Sequence, residues 1–203
     1  MTKRQSGDRL DPAAVTRAAL ELLDDKGLEA VSTRAVADRL GVRMSTVQWH
    51  VKSRGRMVEL MADAVFGEIP LTDLPPDPEE RARELARRCR RALLAHRDGA
   101  ALVVGTYPAE PHTLRFAELL VEALLARGSA AREAAWTAWT ISYFTLGLVQ
   151  EEQAAGDHPW SEVLAATISP ATHPALHATA PHLTPESFDE RFEFGLATIL
   201  AGS

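Results

Sequence analysis

The chain has 203 residues, 46% of them hydrophobic and 25% charged, with a net charge of −6 and one cysteine. That balance fits one large or two small globular domains with a real core, and a lone Cys89 excludes an internal disulfide. No apolar run reaches the roughly 18 residues a membrane span needs, and the N-terminal Met-Thr-Lys-Arg-Gln-Ser-Gly has no apolar stretch behind its charges, so the expectation is a cytoplasmic protein without a secretory signal.

Taken in chain order, nearly every segment has helical spacing. Asp11-Pro12 starts a helix, with Asp as cap and Pro in the first turn. Val15, Ala19, Leu22 and Leu23 then share one face, and Gly27 stops it. Short helices are expected over about Thr33–Leu40 and Ser45–His50, with a tight turn at Gly41 between them. A further helix over about Arg54–Glu68 leads to Pro70, Pro75, Pro76 and Pro78, a joint between helices. Longer helices follow over about Pro78–Arg97, Glu110–Arg127, Ala130–Ala155 and Pro185–Leu200, with a short one over about Ala100–Thr106. Residues 156–185 read as a loop with room for one short helix. No strand-like alternation of useful length is present, so the fold class is all-α.

Charge divides the chain. Residues 1–58 hold eleven Lys/Arg against seven Asp/Glu, a local +4, while the remainder carries −10. Phosphates are attracted to such a head and repelled by such a body. Within the head, Val36, Leu40, Val42, Val47 and Val51 can form a shared apolar seam. That leaves Arg43, Ser45, Thr46, Gln48, Trp49, His50 and Lys52 for other faces, with Thr33 and Arg34 on the preceding helix. A helix in the major groove needs donors and acceptors for base edges and cations for phosphates. Two competing readings stay open: Ser45-x-x-Gln48 also fits a capping box, and Trp49 also fits a packing residue under the turn.

The segment Ser32–Lys52 resembles the helix-turn-helix of the TetR family of bacterial repressors, closest to its tetracycline-repressor-like subgroup through Trp49-His50-Val51-Lys52. The likeness continues through Arg91–Ala100, Val104–Pro108, Phe144–Gly147 and Phe192–Leu196. The resemblance implies an N-terminal three-helix DNA-binding domain over 1–53 and a C-terminal helical ligand-binding and dimerisation domain over 54–203, with 54–69 as the connecting helix. It implies a homodimer on a palindromic double-stranded operator, released by a small-molecule inducer. Arg34 and Arg43 are then base readers. Thr33, Ser45, Thr46, Trp49, His50 and Lys52 meet phosphate or groove wall, and Gln48 fits either role.

The ligand residues of that subgroup are not kept. Where it has histidines for the drug and its magnesium, this chain has Pro70 and Val103; Tyr107 replaces an Arg, and Leu85 and Cys89 replace an Asn and a Phe. Glu151 keeps an acidic partner. The expected ligand set is Leu85, Cys89, Val103, Tyr107, Leu119, Trp139, Tyr143 and Glu151, suited to an apolar or aromatic molecule. Neither magnesium nor any other cofactor is expected.

Three other readings are weaker. His96-Arg97-Asp98 resembles a kinase catalytic string, but the glycine-rich loop and strands that chemistry needs are missing, so no enzyme is expected. In the simpler reading its His and Arg complement a helix C-terminus. His173 and His177, with His158 and His182 near in sequence, fit scattered loop histidines better than a metal site, since Pro174 interrupts the spacing. A dimerising scaffold leaves the basic head unexplained. The 130–155 and 185–200 helices carry enough apolar surface to pair with their symmetry mates as a four-helix bundle, with Gly147 and Gly195 allowing close approach; ordinary packing within one chain is the alternative.

Overall fold

The computed structural model describes residues 10–106, 109–155, 163, 166–183 and 188–202, and every regular element among them is helical. The chain divides into two compact units: Met1–Thr72 with Arg91–Glu118, and Asp73–Arg90 with Leu119–Ser203.

In the first unit, α1 (Pro12–Lys26) begins as its sequence predicts. The Asp11 carboxylate accepts the Ala14 N–H at 2.7 Å, and Val15, Ala19, Leu22 and Leu23 are all buried. Each larger residue of that face contributes about 1.5–3 kcal/mol by leaving water. A turn at Leu28–Ala30 leads to α2 (Thr33–Leu40), α3 (Met44–Val51) and α4 (Arg54–Gly67). Val36, Val47, Val51, Met57 and Met61 are fully buried among these helices.

Residues 91–118 tie α1 and α4 together. Helix α5 (Pro78–Leu94) ends three residues short of the expected Arg97, because the next residues turn sharply: Asp98 has φ 56°, and α6 (Gly99–Val103) starts directly after it. The turn carries long-range bonds. His96 Nδ1 lies 3.1 Å from both Asp24 carboxylate oxygens, and its Nε2 lies 3.0 Å from Glu68. Asp98 accepts the Leu28 N–H at 2.8 Å. The His-Arg-Asp string is thus a structural knot rather than only a complement to a helix end. Further along, buried Asp63 of α4 accepts from the Thr113 N–H at 2.8 Å and its hydroxyl at 2.9 Å, at the start of α7 (Pro111–Ala126). Arg56 reaches Glu110 at 2.5 Å.

In the second unit, α8 (Ala131–Ala155) packs against α10 (Phe188–Ala201). Phe144 and Phe192 stack with centroids 5.8 Å apart. A Cβ on Gly195 would overlap the Phe144 ring, whereas one on Gly147 would meet nothing within 4 Å. Gly195 therefore serves packing within the chain, and Gly147 alone keeps an open approach. Arg90 bonds Glu152 and Asp189, and Arg87 bonds both oxygens of Glu193. The hydrogen bond from Arg87 holds the Glu193 carboxyl below the usual range. Between α8 and α10 lies the short α9 (Pro174–Thr179). Pro174 opens it instead of breaking it: the His177 N–H donates to the His173 carbonyl at 2.9 Å, one helical turn across the proline.

Candidate nucleic-acid interface

The α2–α3 pair is set by its caps and its turn. Ser32 caps α2, its hydroxyl accepting the Ala35 N–H at 3.1 Å. Gly41 ends α2 at φ 66°, ψ 30°, a left-handed conformation that glycine adopts without steric cost. The Val42 N–H then donates to the Ala37 carbonyl at 3.0 Å, closing the turn. Arg43 stands at the cap position of α3 with no side-chain capping bond. Helix α3 thus starts at Met44, one residue earlier than expected, and Ser45 is already helical. That removes the capping-box reading, since a capping residue sits outside the helix. Ser45 and Gln48 are both exposed and available.

Val47 and Val51 point into the core, and the rest of α3 faces out. Arg43, Ser45, Gln48, Trp49 and Lys52 are exposed; Thr46 and His50 are half-buried. Trp49 is 70% exposed, so it does not pack under the turn. Its ring meets His50 edge-on at 4.8 Å, and Lys52 Nζ lies 5.6 Å from its centre. Lys52 has φ 62°, ψ −50°, a costly backbone for a side-chain-bearing residue. It makes the sharp joint to α4, whose first turn is capped by the Ser53 hydroxyl accepting from the Arg56 N–H. On α2, Arg34 is exposed and Thr33 half-buried.

Other cations of the head are committed inside it. Arg39 bonds Glu21 at 3.1 Å and Asp25 at 2.7 Å. Arg54 donates to the Val31 and Leu28 carbonyls. Met44, which belongs neither to the expected apolar seam nor to the expected DNA contacts, is 45% exposed.

The expected ligand residues fall in both units. Val103 belongs to the first and is buried; Leu85, Cys89 and Leu119, also buried, belong to the second. Burial alone pushes the Cys89 thiol up to about 12, consistent with a small core residue rather than a nucleophile. Trp139 and Tyr143 are 48% and 59% exposed and stack at 5.4 Å. Glu151 is exposed, and Tyr107 lies outside the described residues. At the position that the resemblance gives to a magnesium-binding histidine, buried Val103 has no donor atom, so these residues do not fit a magnesium chelate. Among the described residues, no group of three or more His, Cys, Asp or Glu could hold a metal ion; His158 lies outside them. No helix among them is long and apolar enough to cross a membrane.

Residues 15–61 match the family model described as bacterial regulatory proteins, tetR family, and residues 73–203 match the tetracyclin repressor-like C-terminal domain. The tetracycline repressor protein class C of Escherichia coli is 37% identical over 202 residues, covering 96% of this chain and 91% of that protein. A crystal structure of a possible TetR family transcriptional regulator from Streptomyces coelicolor A3(2) is 35% identical, with a TM-score of 0.83 over 95% of this chain and 98% of that one. The structure of ActR from Streptomyces coelicolor in complex with actinorhodin is 28% identical, with a TM-score of 0.86 over 96% of this chain and 95% of that one.

Proposed function

The chain belongs to the TetR family of bacterial regulatory proteins, and on that premise we propose that two copies bind a palindromic operator until an apolar or aromatic inducer releases them. Members of this family are non-enzymatic DNA-binding repressors with a ligand-binding C-terminal domain, and they act as dimers. The observation that carries the finer reading is the outer face of α3. Arg43, Ser45, Gln48, Trp49 and Lys52 are exposed together while Val47 and Val51 anchor the helix from beneath. Arg34 and Arg43 read base edges, and Gln48, free of any capping role, joins them. Thr33, Ser45, Thr46, Trp49, His50 and Lys52 meet phosphates and the groove wall.

The pairing face runs along α8. Trp136, Trp139 and Tyr143 are spaced three and four apart and all exposed, which suits a second copy better than a ligand. Trp139 and Tyr143 thus belong to that face rather than to the ligand site. Within the second unit, Leu85, Cys89 and Leu119 remain as apolar lining for the inducer, with Glu151 to orient it. ActR, bound to actinorhodin in its own structure, supports a small-molecule occupant for this fold.

Release requires that the inducer favour the form whose heads are misplaced. Two residues, Lys52 and Ser53, separate α3 from α4, which is held at Arg56 by Glu110, at Asp63 by Thr113 and at its C-cap Glu68 by His96. A shift of residues 96–113 therefore moves α4, and α3 with it. Selecting bound DNA from a random pool, with and without candidate ligands, tests the reading. A palindrome with half-sites about one helical turn apart, lost on ligand addition, is the expected result. No enriched sequence, or one that is not palindromic, overturns it.

A further inference from the structure

Besides Trp49, helix α3 carries a second large apolar side chain that its own core does not use. Val47 and Val51 close the inner face with no exposure, yet Met44, the first residue of the helix, stays 45% exposed between exposed Arg43 and Ser45. A recognition helix meets base edges with its N-terminal residues. The major groove offers four base pairs of donors and acceptors, and its one apolar group is the C5-methyl of thymine. Methionine is unbranched and polarisable, able to fit such a methyl without a fixed rotamer.

We propose that Met44 selects a thymine in each half-site by covering its C5-methyl, a specificity-determining contact separate from the arginines. This rests on the reading that α3 enters the major groove. The contact makes no hydrogen bond, so it discriminates by the methyl alone. Cytosine lacks the group, and 5-methylcytosine keeps it.

The test uses the full-length protein and the operator obtained by selection. Each thymine is replaced in turn by deoxyuracil, which removes only the methyl and preserves pairing. At one thymine per half-site, binding by the native protein is expected to weaken about fourfold, the factor for one buried methyl-sized group. With Met44→Ala the same replacement is expected to have no effect, and with Met44→Leu the sensitivity is expected to return. Met44 is exposed, so neither variant removes a core residue. If no deoxyuracil weakens binding, or if the effect persists unchanged in Met44→Ala, the thymine contact is wrong while the operator reading stands. If the pool yields no bound sequence at all, both fall together.

Discussion

Trp49 on α3 and Trp139 on α8 are both tryptophans left open to solvent, at 70% and 48%, and their neighbours give that openness opposite meanings. Around Trp49 stand a lysine over the ring, a histidine at its edge, and exposed Arg43, Ser45 and Gln48. Trp139 has Tyr143 stacked on it and Trp136 three residues before, in an aromatic stripe. An aromatic ring among cations and amides suits a polyanion with base edges. Aromatic rings in a row suit another protein surface. Exposure alone identifies neither partner; the company of the ring does.

The comparison breaks most visibly at α8. Changing Trp139 and Tyr143 together to Glu is expected to give monomers by sedimentation. Operator affinity should then fall by roughly 10²–10⁴-fold, because each head binds without the other held nearby. A dimer that keeps its affinity would move the pairing face elsewhere. Next in size are the cations of the head. Arg43→Ala is expected to cost about 1–3 kcal/mol at one base position and relax the choice there, whereas Lys52→Ala should weaken all sequences alike, as measured by fluorescence anisotropy on operator and scrambled DNA.

In the second unit, Gly195→Ala forces a methyl into the Phe144 ring. It should lower stability by about 1–3 kcal/mol in urea unfolding, with partial recovery when Phe144 is shortened to Leu. The smallest expected effect is none at all. With the Cys89 thiol pushed up to about 12 by burial, a disulfide reagent at pH 8 should leave the folded protein untouched and react once urea opens it. The sign follows from the folded state preferring the neutral thiol: that preference adds stability below the ordinary value of 9.0 and fades as pH rises above it.

The helices were legible because their apolar spacing and caps are local. Asp11-Pro12, Ser32 and Gly41 each act on residues within one turn of themselves. What escaped is long-range or depends on what covers a face. His96 was readable as the end of a helix, yet its partners Asp24 and Glu68 lie 72 and 28 residues away, beyond any spacing rule. Gly147 and Gly195 look alike in sequence, and only the Phe144 ring separates them. The start of α3 at Met44 instead of Ser45 comes with Arg43 at the cap position after the Gly41 turn, which puts Ser45 inside the helix and removes its capping role. Periodicity placed Leu85, Cys89, Trp139 and Tyr143 on apolar faces but could not say that the first two are covered by their own chain and the last two are not.

The arginines bound within the head also bear on how its grip on DNA responds to ionic strength. With Arg39, Arg54 and Arg56 already engaged by the protein's own carboxylates and carbonyls, at most eight of the eleven cations per head remain to displace counterions from the duplex. If Arg34, Arg43 and Lys52 do that work, a dimer should show a log–log salt slope of about −5. The head's charge count thus sets an upper limit on its salt sensitivity, and its internal bonds lower that limit by three cations per head.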